Sequence, residues 1–147
     1  MINSIQSRDP LTICGPSIRT SLQSSAIDIP AFWHRVVSEC LLDRVPNPSA
    51  PGTLIAAYSH YESDYRGAYT MTIGTPVSSK DLGSGYSYLT IPGGDYCVLE
   101  AKGDTMKSVP AAWLYVWEQW PDRSNRLYAV DFEIYDPISL RQSPPVV

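Results

Sequence analysis

Apolar residues recur at helical spacing in two stretches of the chain. The first stretch begins at Asp28, a good capping residue, and predicts a helix to about Arg44. The second begins at Ser108 and predicts a helix that Pro121 ends. Each cap is followed two residues later by a proline, which a first helical turn tolerates because its N–H would be unpaired there. The apolar positions are Phe32, Val36, Val37, Cys40 and Leu41 in the first helix and Trp113, Val116, Trp117 and Trp120 in the second.

Short runs of β-branched, aromatic and aliphatic residues, separated by turn residues, predict the strands. After a polar start, Leu11–Cys14 and Ser17–Thr20 form a first strand that Gly15 and Pro16 interrupt. The other predicted strands are Leu54–Tyr61, Ala68–Val77, Tyr86–Ile91, Tyr96–Ala101 and Leu127–Tyr135, with a turn at Pro92–Asp95.

The order of these elements repeats. Asp28-Ile-Pro-Ala-Phe-Trp33 and Ser108-Val-Pro-Ala-Ala-Trp113 match at an offset of 80 residues, and strands precede and follow both. The repeat predicts an α+β fold of two tandem strand-helix-strand-strand modules that share one antiparallel sheet and two helices. We expect a single domain over residues 1–147, with modules at about 10–80 and 84–147 and a ligand groove between the helices.

The composition and net charge limit the classes of partner that we expect. The chain has 147 residues, 44% hydrophobic and 18% charged, and a net charge of −4, which is unlike a disordered tail or a nucleic-acid-binding surface. The apolar run Ala111–Trp117 is too short to span a bilayer, and the first ten residues do not resemble a secretory signal. We therefore expect a cytoplasmic protein with a neutral or cationic partner, no direct nucleic-acid contact and no membrane.

Cysteine and histidine are too few for a metal or disulfide framework. The chain has three cysteines, none in a CxxC arrangement, and two histidines, His34 and His60. We assign no metal and no cofactor, while a Cys–His catalytic pair stays open beside the more common buried structural thiol.

Two features could carry chemistry. The three indoles on one face of the second helix belong either to the core or to a pocket, where each Nε1–H needs a partner. In the last strand, Phe132 and Ile134 point one way while Glu133 and Tyr135 point the other. Alternation alone therefore predicts that Glu133 faces solvent.

Three motifs follow one another along the chain: Tyr69-x-x-x-x-Gly74, Trp113-x-x-Val-Trp117-x-x-Trp120-Pro121-x-x-Ser124 and Phe132-Glu133-x-Tyr135. They resemble those of the GyrI-like effector-binding domains, which occur in AraC- and MerR-type multidrug-responsive regulators and as stand-alone proteins. The similarity extends from about Leu11 to Tyr135 and is closest to the small cationic-drug-binding proteins of integron cassettes. We expect no room for the helix-turn-helix domain of the family's regulators. Only Pro144-Pro145-Val146-Val147 stands where the family has a long final strand, so we expect the second module to be incomplete or its edge to be filled by another chain.

The resemblance implies a pocket between the two helices, lined by aromatic side chains, with Glu133 at its base. Such a site suits lipophilic organic cations, in transcription regulation with a separate DNA-binding regulator or in drug sequestration. Two alternatives stay open: a hydrolase of strained electrophiles that uses Glu133 with a nearby tyrosine, and a gyrase-inhibitor-like interaction module whose short final strand pairs with another chain or in a homodimer. The expected ligand-binding residues are Glu133, Trp113, Trp117, Phe32, Trp33, Tyr58 and Tyr135.

Overall fold

The computed structural model describes residues 3–64, 66–81, 86–99, 105–121 and 126–135. Within these ranges the chain forms eight strands and two helices. In chain order they are β1 (Asn3–Arg8), β2 (Leu11–Gly15), β3 (Ser17–Ser21), α1 (Ser25–Ser38), β4 (Leu54–Ser59), β5 (Ala68–Pro76), β6 (Ser87–Ile91), β7 (Gly94–Leu99), α2 (Thr105–Glu118) and β8 (Asp131–Tyr135).

The strands pair antiparallel throughout the described residues. Five of them form a sheet in the order β6-β2-β5-β4-β8, and β3 pairs with β5 as well. The polar start, for which no element was predicted, forms β1 and pairs with β7 from Asn3–Leu99 to Arg8–Gly94 as a separate ladder. The predicted α+β class, with two helices and an antiparallel sheet, is confirmed.

The two helices keep the internal repeat, but both predicted starts are wrong. Each bound of α2 lies 80 residues after the corresponding bound of α1, and Pro30 and Pro110 occupy the same position within them. Helix α1 has Ser24 as its N-cap, so Asp28 lies in the first turn, where the helix dipole favours a carboxylate. There Asp28 accepts a 2.9 Å hydrogen bond from the Thr20 hydroxyl.

Helix α1 ends at Ser38 and not near Arg44. Cys40 adopts a left-handed conformation with φ 50°, and its N–H donates to the Val37 carbonyl. The N–H of Leu41 reaches back to the Val36 carbonyl at 3.1 Å, and both side chains belong to one apolar cluster. This is a Schellman ending in which cysteine occupies the position usually taken by glycine, so the sequence carried no stop signal.

Two predicted segments in the second half also differ. Strand β7 begins at Gly94, inside the predicted turn, and Ala101 lies outside the described residues. Strand β8 begins at Asp131, four residues later than predicted, because Tyr128 has φ 53° and interrupts the extended backbone.

Both faces of the sheet are covered. Alternate residues of β4 separate two apolar clusters: Ala56 and Tyr58 pack on the side of both helices, whereas Ile55 and Ala57 pack on the other side with Phe132 and Ile134. Within the described ranges, neither helix has the length and hydropathy that a membrane span requires. The helix-covered face is the one that holds the candidate site.

Candidate ligand-binding site

Glu133 is buried on the helix-covered face, in β8, the last strand in the sheet order. It lies opposite Ala56 in the β4–β8 pairing and is only 2% exposed. The solvent-facing position that alternation predicted is wrong, because apolar clusters cover β8 on both sides. The small side chain of Ala56 leaves room beside the carboxylate for larger rings.

Three neutral groups donate hydrogen bonds to this carboxylate. The Trp113 indole N–H and the Tyr58 hydroxyl reach Oε1 at 2.9 Å and 3.0 Å, and the Tyr135 hydroxyl reaches Oε2 at 2.9 Å. The donors come from α2, β4 and β8, so the site depends on elements distant in the sequence. Since each donor is neutral, the carboxylate receives hydrogen bonds but no compensating charge from them.

Burial dominates the electrostatics of the site. Desolvation raises the pKa of Glu133, although its hydrogen bonds with Trp113, Tyr135 and Tyr58 oppose that shift. Desolvation, and then the charge of Glu133, raise the pKa values of Tyr58 and Tyr135. Both tyrosines therefore remain protonated hydrogen-bond donors at neutral pH.

Aromatic rings surround these hydrogen bonds in edge-to-face contact. Trp33 of α1 lies against Tyr135 with ring centroids 5.4 Å apart, and Tyr58 meets Trp113 at the same separation. Tyr69 packs on Tyr58 at 5.8 Å. Each helix thus contributes one indole to the surroundings of the carboxylate, and both indoles are partly exposed.

The other two predicted residues, Phe32 and Trp117, lie on the two helices. Phe32 is 3% exposed and packs in the core beneath α1, with the Arg35 guanidinium 5.4 Å from its ring centroid. Trp117 is half-buried on α2, one turn after Trp113. The structure therefore brings Trp113, Tyr58 and Tyr135 onto Glu133, and the ring of Trp33 packs edge-to-face on Tyr135.

A second polar group, which was not predicted from the sequence, lies beside the site and is centred on Asp131. Asp131 accepts hydrogen bonds from the Tyr61 hydroxyl at 2.6 Å and from Arg126 at 2.9 Å. It points to the same side of β8 as Glu133, so alternation could have found it. Arg126 lies between the second helix and the last strand and had no periodic signal.

A cavity of about 540 Å³ lies next to this group. Its wall is formed by β7, by one side of α2, by residues 126–132 and by Ile134; Phe132 and Ile134 point away from Glu133. Trp113 lines the cavity and also donates to Glu133, so its ring separates the cavity from the carboxylate.

Comparison with known proteins agrees with this architecture. A family model described as integron-associated effector binding protein, Cass2, matches residues 4–144. A Bacillus subtilis (strain 168) relative named "Putative transcriptional regulator protein YobU" is 30% identical over 110 residues, which cover 74% of this chain and 68% of the relative.

Two solved structures share the fold. The Vibrio cholerae integron cassette protein VCH_CASS2 superposes with a TM-score of 0.74 at 22% identity, over 98% of this chain and 90% of the other. SAV2435, solved bound to tetraphenylphosphonium, gives a TM-score of 0.73 at 19% identity, over 92% of this chain and 84% of the other.

Two helices on an antiparallel sheet are the fold that this chain shares with both structures. The chain belongs to the Cass2 family of integron-associated effector binding proteins. The family resemblance and the GyrI-like fold read from the sequence are thereby confirmed.

Proposed function

We propose that this protein binds lipophilic organic cations at Glu133, with Trp113, Tyr58, Trp33 and Tyr135 as the aromatic wall. One observation carries the proposal: a carboxylate that is 2% exposed is held by three donors that are all neutral. Phe32 and Trp117 would extend the apolar surface along the two helices.

An ionised carboxylate in this position lacks the hydration that it would have in water. A ligand cation restores charge balance, and each ring that it contacts adds about 0.5–2 kcal/mol of cation–π interaction when desolvated. Because rings cover Glu133, the ligand must displace one of them. Tyr58 and Trp113 are only partly buried and are the side chains that we expect to move. The tetraphenylphosphonium bound to SAV2435 supports this class of ligand for the fold.

The test is a titration with tetraphenylphosphonium, followed by tryptophan fluorescence. Glu133→Gln keeps the shape of the side chain and removes its charge, so we expect affinity to fall about tenfold or more, which is about 1.4 kcal/mol. Glu62→Gln is the matched control, since Glu62 is exposed, and it should bind like the wild type.

A neutral triaryl compound, triphenylphosphine oxide, separates charge from shape. It should lose much less affinity than the cation in Glu133→Gln. Equal losses for both compounds would mean that Glu133 only shapes the site and would overturn the electrostatic part of the proposal.

The hydrolase alternative uses the same residues. Glu133 would act as base and Tyr58 or Tyr135 as acid, but raised pKa values make both phenols reluctant to give up a proton. We therefore favour binding without turnover. Recovery of the ligand unchanged after long incubation supports binding, whereas release of a hydrolysis product would support the enzyme.

We also infer that residues 1–147 act as one effector-binding domain and that a separate protein contacts DNA. The 80-residue offset of the helices supports the two-module domain, and the name of the YobU relative supports a regulatory role. Deleting the gene should then change transcription when cells meet an organic cation. A loss of drug tolerance without any change in transcription would favour sequestration.

A further inference from the structure

The Arg126 guanidinium is buried and only partly hydrogen-bonded. Its side chain is 7% exposed, and Nη2 forms an ion pair with Asp131 at 2.9 Å. The same nitrogen lies 3.3 Å from the Tyr61 hydroxyl oxygen. Nε and Nη1 are buried and have no hydrogen-bond partner among the described residues, which is unusual for an arginine.

Aromatic rings take the place of those partners. The centre of the guanidinium lies 4.3 Å from the ring centroid of Tyr128, 5.6 Å from that of Trp113 and 5.7 Å from that of Tyr61. Three rings within about 6 Å of one cation form an aromatic cage of the kind that recognises quaternary ammonium groups. We call Tyr61, Trp113 and Tyr128 the Arg126 cage.

The backbone that holds the cage is strained. Tyr128 has φ 53°, and His60, which precedes Tyr61, has φ 52°. Neither residue is glycine, so both conformations are unfavourable by themselves and persist only where the surrounding structure imposes them. Such strain is concentrated at ligand clamps and switch regions.

The cage also borders the cavity. Trp113, Tyr128, Arg126 and Asp131 all line the space of about 540 Å³. Ligand pockets commonly have volumes of about 300–1,000 Å³. A ligand in this cavity could therefore place a charged group where the Arg126 guanidinium now lies.

We propose that the Arg126 cage is a cation-binding subsite, which Arg126 fills in the free protein and from which the quaternary ammonium, quaternary phosphonium or guanidinium group of a ligand displaces it. The inference rests on the proposed function and adds that Arg126 competes with the ligand cation for the cage. Asp131 would remain as the counter-charge, since the Tyr61 hydroxyl still donates to it. Trp113 joins this subsite to Glu133, because its ring faces Arg126 while its N–H bonds the carboxylate.

The first test compares tetraphenylphosphonium affinity in Arg126→Gln, Arg126→Lys and Arg66→Gln. Removing the competing cation in Arg126→Gln should raise affinity about tenfold, since one cation–π occupant no longer has to leave. Arg126→Lys keeps a cation in the cage and should bind like the wild type. Arg66 is 70% exposed, so its variant controls for the loss of one surface charge. Unchanged or weaker binding by Arg126→Gln would overturn the inference.

A second measurement uses the wild-type protein. Reaction of Arg126 with phenylglyoxal, followed by mass spectrometry, should be slow in the free protein and faster when tetraphenylphosphonium is bound. Slower reaction in the complex would show that Arg126 stays in the cage and would overturn the inference.

A third measurement separates this inference from the proposed function. If no variant binds tetraphenylphosphonium, the proposed function fails. Tetramethylammonium then tests separately whether the cage binds a cation. The Tm of Arg126→Ala should rise with tetramethylammonium chloride relative to sodium chloride of equal ionic strength, while that of the wild type should not. No rise in Arg126→Ala would overturn the cage as a cation subsite.

Discussion

Hydrogen bonding and desolvation shift the pKa of the Glu133 carboxyl group in opposite directions. Burial raises its pKa, and the three neutral donors lower it again without cancelling the shift. Each donor therefore stabilises mainly the ionised form. Removing one donor should matter most at a pH where Glu133 is charged.

The variant Tyr135→Phe tests whether a donor stabilises mainly the ionised form of Glu133. The Tyr135 hydroxyl donates to Oε2, and a hydrogen bond to a charged group contributes about 1.5–3 kcal/mol. We expect the free energy of unfolding to fall by about that amount above the pKa of Glu133 and by less below it. Urea denaturation across the pH range measures both values.

Tyr96→Phe is the matched control for that series. The Tyr96 hydroxyl donates to the Pro92 carbonyl, which carries no titrating charge. The cost of this substitution should not change as Glu133 ionises. A loss in Tyr135→Phe that is equally independent of pH would mean that Glu133 does not change its protonation state over that range.

At the scale of single elements, the end of α1 shows how a helix stops without glycine. Cys40 is exposed and has φ 50°, and the hydrogen bonds around it form a Schellman ending. A side chain in this conformation costs free energy that glycine avoids, although glycine loses more entropy on folding.

Cys40→Gly should therefore stabilise the protein by about 0.5–1 kcal/mol. Ser38→Gly, at the last helical residue of α1, should destabilise it by about the same amount, because that position has no need for positive φ. Thermal denaturation of both variants under reducing conditions gives the comparison. Destabilisation by both variants would contradict the assigned helix end.

At the scale of the whole molecule, Glu133 links stability to pH. Its pKa is raised in the folded state above the ordinary value of 4.5, so the folded protein binds the proton more tightly than the unfolded chain. The resulting stabilisation is complete below the unfolded pKa and is lost as the pH rises through the folded pKa. Ligand binding has the opposite dependence, because a cation favours the ionised carboxylate.

The wild type should therefore lose stability relative to Glu133→Gln as the pH rises above the ordinary value of 4.5 and through the raised pKa of Glu133. Over the same range, its affinity for tetraphenylphosphonium should increase, and that increase should be absent in Glu133→Gln. Denaturation and titration at each pH provide the two curves. Parallel curves for the two proteins would show that the pKa of Glu133 is not raised by folding.

The sequence by itself determined most of the elements. Helical spacing and the matching prolines located both helices and their 80-residue offset, and runs of β-branched and aromatic residues located β2 to β6 to within about two residues at each end. These signals are local, so they are present in the chain before it folds. The Phe132-Glu133-x-Tyr135 motif also singled out the acid, through its resemblance to a known family.

Only the tertiary structure decided how that acid is buried and what surrounds it. Alternation in β8 cannot show that helices cover the second face, and the donors Tyr58 and Trp113 are distant from Glu133 in sequence. The pairing of β1 with β7 and the cage around Arg126 likewise join segments far apart in the chain. Local patterns fix which way a side chain points, but burial, charge pairing and ring contacts depend on what packs against it.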